Sequence, residues 1–167
     1  RASDQVPITP LTRPEKPFQT VFLDCIGPLE PPSSRGYRYA LCVVDLCTRW
    51  PEVVPLRSLT AKATCQALID IFARFGTPEE ICCDQGTNFT SGLTQELTDK
   101  LGATIRFSTP DHPQSNGLVE RWNATFKGML RHVVNEHSRS WDQYVPCLLW
   151  AYREVPNDTT GVSPFEL

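Results

Sequence analysis

The apolar pattern of this 167-residue chain changes period at Thr60, and that change limits what it can fold into. Before Thr60 the apolar runs are short: Gln19 to Cys25, Tyr37 to Leu46 (YRYALCVVDL) and Trp50 to Leu56. Such runs predict strands. The brief polar links Ser33-Ser34-Arg35-Gly36 and Cys47-Thr48-Arg49 predict an antiparallel meander. Pro51 has no amide hydrogen to give a neighbour, so the third strand belongs at a sheet edge. After Thr60, Ala63, Ala67, Leu68, Ile71, Phe72 and Phe75 fall at helical spacing, with Thr60 as N-cap and Gly76 as the stop.

The rest of the chain alternates. Glu79 to Asp84 returns to strand, Ser91 caps a short helix through Leu101 that Gly102 ends, and Ala103 to Ser108 is a further strand. Thr109 to Gly117 (TPDHPQSNG) is turn-forming. Leu118 to about His137 is the longest helix, and Trp141 to Glu154 is another, with Pro146 as a candidate kink. The order predicts an α/β fold, a mixed sheet with helices packed on its faces. Residues 1–16 are polar and proline-rich and read as a linker or extended arm, which leaves 17–167 as the folded domain. A start at Arg1 without Met suggests a piece excised from something larger.

Composition narrows the function classes. With 40% hydrophobic and 21% charged residues the chain suits one soluble domain with a real core. It has no apolar run long enough for a membrane span and no targeting leader. A net charge of −3 argues against tight DNA binding by the segment alone, because phosphate contacts dominate such affinity. The seven cysteines form no CxxC pair, and His112, His132 and His137 lack finger spacing. They read as small hydrophobes in a reducing compartment rather than zinc ligands.

Three acids stand out. Asp24 ends the apolar run Val21-Phe22-Leu23, Asp84 closes Ile81-Cys82-Cys83, and Glu120 opens the longest helix, with 35 residues between the last two. Aspartates at strand ends keep a cation close to rigid backbone, and a helical glutamate reaches across a gap. Together they suit a pair of hard divalent ions about 3.5–4 Å apart, the arrangement that phosphoryl transfer at a nucleic-acid backbone uses. Taken singly, each acid is equally well a turn former, a strand-end acid or a first-turn helix acid. At about 100° per residue, Leu118, Trp122, Phe126, Met129 and Val133 share one stripe, and Glu120 lies roughly 150° from it. Lys127 and Arg131 fall within about 20° of Glu120 on the same arithmetic.

The runs FLDCIGPL, CDQGTNF, HPQSNGLVERWN and the closing TGVSPFEL together resemble the catalytic core of retroviral and gypsy-type retrotransposon integrases, from about Pro17 to Leu167. The resemblance implies a ribonuclease-H-like mixed five-stranded sheet flanked by helices. It implies that Asp24, Asp84 and Glu120 are the catalytic, metal-binding triad, with two Mg²⁺ (or Mn²⁺) ions per site. The implied activity is a DNA polynucleotidyl transferase that processes element 3′ ends and transfers them into target DNA. No nucleophilic Ser or Cys is then expected, and Cys83 reads as core.

It further implies DNA contacts from the loop Gln114, Ser115 and Asn116 and from Asn123, Lys127 and Arg131, the last equally well a solvated polar face. His112 reads as a loop residue and Asn88 as closing a turn, while Trp141, Tyr144 and Trp150 suit core or a subunit interface. The implied partners are element-end and target DNA, a second copy or higher oligomer, and zinc-binding and C-terminal domains flanking this core in a polyprotein. Membranes are not among them. Synthesis in the cytoplasm and action in the nucleus follow from the substrate. The other reading is a domesticated host protein that keeps the fold for DNA or protein binding without catalysis. A rival among enzymes is an RNA-cleaving ribonuclease H, though the NGLVERWN helix is not its mark, and the intact triad of this chain does not favour the non-catalytic reading.

Overall fold

The computed structural model describes residues 16–83, 87–102, 105–108, 117 and 120–154, with only the backbone at 87–91 and 123. The arm, apart from Lys16, lies outside them, as does the closing TGVSPFEL.

Five strands form one sheet: β1 (Thr20–Ile26), β2 (Tyr39–Asp45), β3 (Pro51–Leu56), β4 (Glu80–Cys83) and β5 (Arg106–Ser108). Their order is β3-β2-β1-β4-β5. The first three are antiparallel, as the short polar links require, and Pro51 does begin an edge strand. β1 pairs with β4 and β4 with β5 in parallel. A parallel pair needs a long crossover, and α1 (Ala61–Phe75) lies on the one between β3 and β4. The Thr60 hydroxyl accepts from the Ala63 amide at 3.1 Å, and Gly76 ends the helix at φ 93°.

Helices cover both faces of the sheet. On one face Val21, Leu23, Leu41, Val43, Ile81 and Cys83 pack against α1 and α2 (Thr87–Leu101). On the other, Phe22, Cys42, Val44 and Cys82 meet Trp122, Phe126 and Leu130 together with Trp141, Val145 and Leu149 of α4 (Trp141–Glu154). Strand alternation thus assigns odd positions of β1 to the first layer and even positions, Asp24 among them by parity, to the second.

Several predicted details change. Helix α2 begins at Thr87, so Ser91 lies inside it instead of capping it. A serine inside a helix costs only a few tenths of a kcal/mol, and buried Leu93 and Leu97 fix its register. β5 is three residues long rather than six, with Ile105 buried just before it and residues 103 and 104 outside the described set. Helix α4 runs on through Pro146. Trp141 is core, but Trp150 is 62% exposed and is not.

The longest predicted helix departs most from ideal geometry. Helical residues 120–122 lead into a π-helical turn, Asn123–Lys127, followed by α3 (Gly128–Glu136). A π-turn accommodates an extra residue and is found often at functional sites. Its imprint is the burial of Trp122, Phe126 and Leu130, a spacing of four where an α-helix would give 3.6. The predicted stripe is corrected accordingly: Leu130 takes the central place, and Met129 and Val133 are only partly buried.

Candidate active site

Asp24 is the fifth of the seven residues of β1, followed by Cys25 and Ile26. Gly27 then turns the chain at φ 133°, where an added Cβ would lie 2.6 Å from the Arg38 carbonyl oxygen. No side chain fits there. The aspartate faces Cys42 of β2 in the antiparallel register and is only 8% exposed. In the parallel register Leu23 pairs with Cys83, so β4 ends beside the stretch of β1 that holds Asp24. Asp84 itself lies outside the described residues.

The two oxygens of the Asp24 carboxylate have different partners. Oδ1 accepts the Cys25 amide hydrogen at 2.9 Å. Oδ2 is buried and lies 2.5 Å from the Lys127 ammonium. That contact is one of charge with charge, because Oδ2 accepts no hydrogen bond of ordinary direction. Both side chains are largely shielded, 19% exposed for Lys127 and 10% for Asp24. The aspartate also marks its neighbours. Burial, then the Asp24 charge, push the Cys25 thiol up to about 12, with Lys127 pulling the other way. The same causes raise the Cys42 thiol further. At neutral pH neither sulfur is a thiolate, and neither serves as a nucleophile.

Lys127 reaches Asp24 because of the π-turn. With Trp122, Phe126 and Leu130 on one line, the helix advances about 90° per residue over this stretch. Lys127 therefore sits about a quarter turn from Glu120, not within the 20° that ideal α-geometry predicts, and it flanks the buried line. Trp122 stacks on Phe126, with centroids 4.4 Å apart and planes 7° from parallel, and both pack in one layer with the sheet residues Phe22, Cys42 and Val44. Tyr152 of α4 meets both rings edge-on at 5.3 and 5.6 Å.

Glu120 is exposed at the head of this segment, as its angular position predicts, and Arg131 is exposed further along it. Gln114, Ser115, Asn116 and His112 lie outside the described residues, as do the side chains of Asn88 and Asn123. Of the predicted residues, the structure brings Asp24 and Lys127 into contact. Among the described residues no group of three or more His, Cys, Asp or Glu gathers around one point.

The donor set around Asp24 still fits a hard cation. Mg²⁺ is commonly held by one or two carboxylates with waters and substrate phosphates, and Asp24 Oδ2, buried without a hydrogen-bond partner and set against the Lys127 ammonium, is an oxygen placed for such a charge. Sequence reasoning missed this pairing, since only the π-turn brings it about. It also missed Asp45, which is fully buried and accepts from the amides of Phe18, Cys47 and Thr48 and from the Thr48 hydroxyl. The signal for that was present: Asp-Leu-Cys-Thr has the acid–hydroxyl spacing of an Asx-type turn.

A separate cleft of about 460 Å³ opens beside edge strand β3, lined by Trp50, Glu52, Arg74, Asp142, Leu149 and Arg153 among others. Glu52 there accepts from the Trp50 indole at 3.0 Å and pairs with Arg74 and Arg153.

A mixed five-stranded sheet covered by helices on both faces is an architecture shared with integrase catalytic cores. The family model described as Integrase core domain matches residues 14–113, and the chain belongs to that family. It is 38% identical over 131 residues, 77% of its length, to the Gag-Pol polyprotein of Walleye dermal sarcoma virus. It is 35% identical over 96% of its length to the Pro-Pol polyprotein of Simian foamy virus type 3 (strain LK3), and 31% identical over 96% to the Transposon Tf2-3 polyprotein of Schizosaccharomyces pombe. The chain spans only 7%, 14% and 12% of those three polyproteins.

Among solved structures, the HTLV-2 integrase catalytic core domain in complex with magnesium superposes with a TM-score of 0.66. That match has 22% identity and covers 92% of this chain and 98% of the other. The catalytic core domain of BIV integrase gives 0.67 at 20% identity, over 89% and 92%. At such identities the likeness is one of fold, the ribonuclease-H-like fold that the sequence implied.

Proposed function

We propose that this chain is the catalytic core of a retroelement integrase, a DNA polynucleotidyl transferase that processes the 3′ ends of element DNA and transfers them into target DNA. The observation that carries the reading is Asp24, a shielded carboxylate on the central strand with one oxygen held by a backbone amide and the other set against a cationic group. The parallel pairing of β1 with β4 supports a role for Asp84. Cys82, two residues before it in the sequence, packs on the same face as Phe22, the face that strand alternation gives to Asp24. Exposed Glu120, on the helix packed over that face, supplies the third acid.

In this reading Asp24, Asp84 and Glu120 would hold two Mg²⁺ or Mn²⁺ ions, which when bound neutralise the attacked phosphate and activate the oxygen that attacks it. The protein's own groups do the rest. The Cys25 amide fixes the Asp24 carboxylate, and the aromatic stack of Trp122 and Phe126 fixes the helix that carries Glu120. Lys127 and Arg131, with Asn123 and the loop residues Gln114, Ser115 and Asn116, engage the DNA backbone and set its register. With a net charge of −3, tight assembly on DNA falls to a second copy and to zinc-binding and C-terminal domains of the parent polyprotein. The reaction takes place in the nucleus after synthesis in the cytoplasm.

A nicking and strand-transfer assay with Mn²⁺ on short duplex DNA tests the reading. Glu120→Gln and Asp24→Asn should each lower turnover by about 10²-fold or more, the size expected when several kcal/mol of charge stabilisation is lost. Activity equal to the parent in both variants would remove these acids from the mechanism.

A further inference from the structure

We propose that Lys127 is a built-in counter-cation for Asp24, which a divalent ion must displace, so that one lysine passes from the carboxylate to a DNA phosphate as the site loads. The inference rests on the metal-binding reading of Asp24 given above. Its own support is the geometry of one contact. Lys127 Nζ lies 2.5 Å from Oδ2, the oxygen that no backbone amide holds, while Oδ1 is fixed by the Cys25 amide. A cation that binds Asp24 through Oδ2, the oxygen without a backbone partner, meets the atom that Lys127 already covers.

The pair is also placed to matter. At 19% and 10% exposure it is screened far less than a surface salt bridge. Neither charge can be left alone without cost, because an unpaired charge in a shielded site is strongly disfavoured. Lys127 thus holds the carboxylate in place when no divalent ion is bound, and the ion in turn releases the lysine. A released ammonium on a flexible four-carbon stem at the end of the π-turn is free to meet a phosphate. Because binding effects are reciprocal, DNA that captures Lys127 should tighten metal binding, and metal should tighten DNA binding, through this single side chain. In this role Lys127 is a positioning residue.

The test is Mn²⁺ titration by calorimetry on the chain described here, comparing the parent with Lys127→Met, Lys127→Arg and Asp24→Asn, with melting temperatures measured with and without the ion. Removing the competitor should tighten Mn²⁺ binding by about tenfold, within the usual range for coupled sites. Lys127→Met should also melt lower than the parent without the ion and show a larger ion-induced rise. Lys127→Arg should restore the parent's values, and Asp24→Asn should abolish the binding.

Parent-like or weaker Mn²⁺ affinity in Lys127→Met, with binding still lost in Asp24→Asn, overturns the competition and leaves the metal site standing. Unchanged binding in Asp24→Asn overturns the site reading and the competition with it. Should Lys127→Met fail to fold, ¹³C-labelled lysine in the parent gives the same answer. The Lys127 ε-carbon resonance should move in step with saturation by Mg²⁺, and a resonance that stays put refutes the exchange.

Discussion

Truncating Phe126 should be among the most damaging single changes in the chain. Its ring is 0% exposed, stacks on Trp122 at 4.4 Å and meets Tyr152 edge-on at 5.6 Å. Phe126→Ala removes that volume from a layer whose other members, Leu130, Trp141 and the sheet residue Phe22, are themselves almost wholly buried, so the cavity cannot close. Changes of this kind cost about 3–5 kcal/mol, of which each aromatic pair accounts for roughly 0.5–1.5 kcal/mol. Against a total stability of about 5–15 kcal/mol this is a large share. For a domain of this size it corresponds to a fall in melting temperature of about 6–20 °C.

Urea unfolding followed by far-ultraviolet circular dichroism avoids the altered fluorescence of neighbouring Trp122. The midpoint should drop while the slope stays the same. Phe126→Leu, which keeps most of the volume, should recover more than half of the loss. A cost below about 1 kcal/mol for the alanine variant would refute the claim that this stack fastens the Glu120 helix to the sheet.

Asp45→Asn replaces one accepting oxygen of a buried, four-bond hub by an amide that can only donate. It should cost about 2–4 kcal/mol by thermal unfolding, and a loss under about 0.5 kcal/mol would show that the hub relaxes. Native-state alkylation at pH 8 followed by mass spectrometry should label exposed Cys147 first. Cys25, with its thiol held up near 12 by burial and Asp24, should react far more slowly. Labelling of Cys25 at the rate of Cys147 would contradict the shielding of the Asp24 pocket.

Much of this fold was legible because local signals and tertiary packing agree. Thr60 and Gly76 bound α1 as capping chemistry predicts, Pro51 sits on an edge, and the early strands pair as their short links demand. The start of α2 was misread because Ser91, a good cap by type, is also tolerated inside a helix. The π-turn was invisible because binary patterning assumes a fixed angle per residue. Only packing on Trp122, Phe126 and Leu130 shows that the helix is locally underwound. The acids and motifs could be picked out in the sequence, but the Lys127–Asp24 contact could not, since it depends on that same quarter turn. Asp45 escaped notice because the burial of its hub, unlike the Asp-Leu-Cys-Thr spacing, does not show in the sequence.

Anomalous scattering at the manganese edge from crystals grown with Mn²⁺ bears most directly on the central claim. The account predicts a peak bound by both Asp24 and Asp84, with the Lys127 ammonium withdrawn from Oδ2. A peak elsewhere, with Lys127 still on Asp24 and the Asp84 side chain on the opposite face of the sheet, would contradict it.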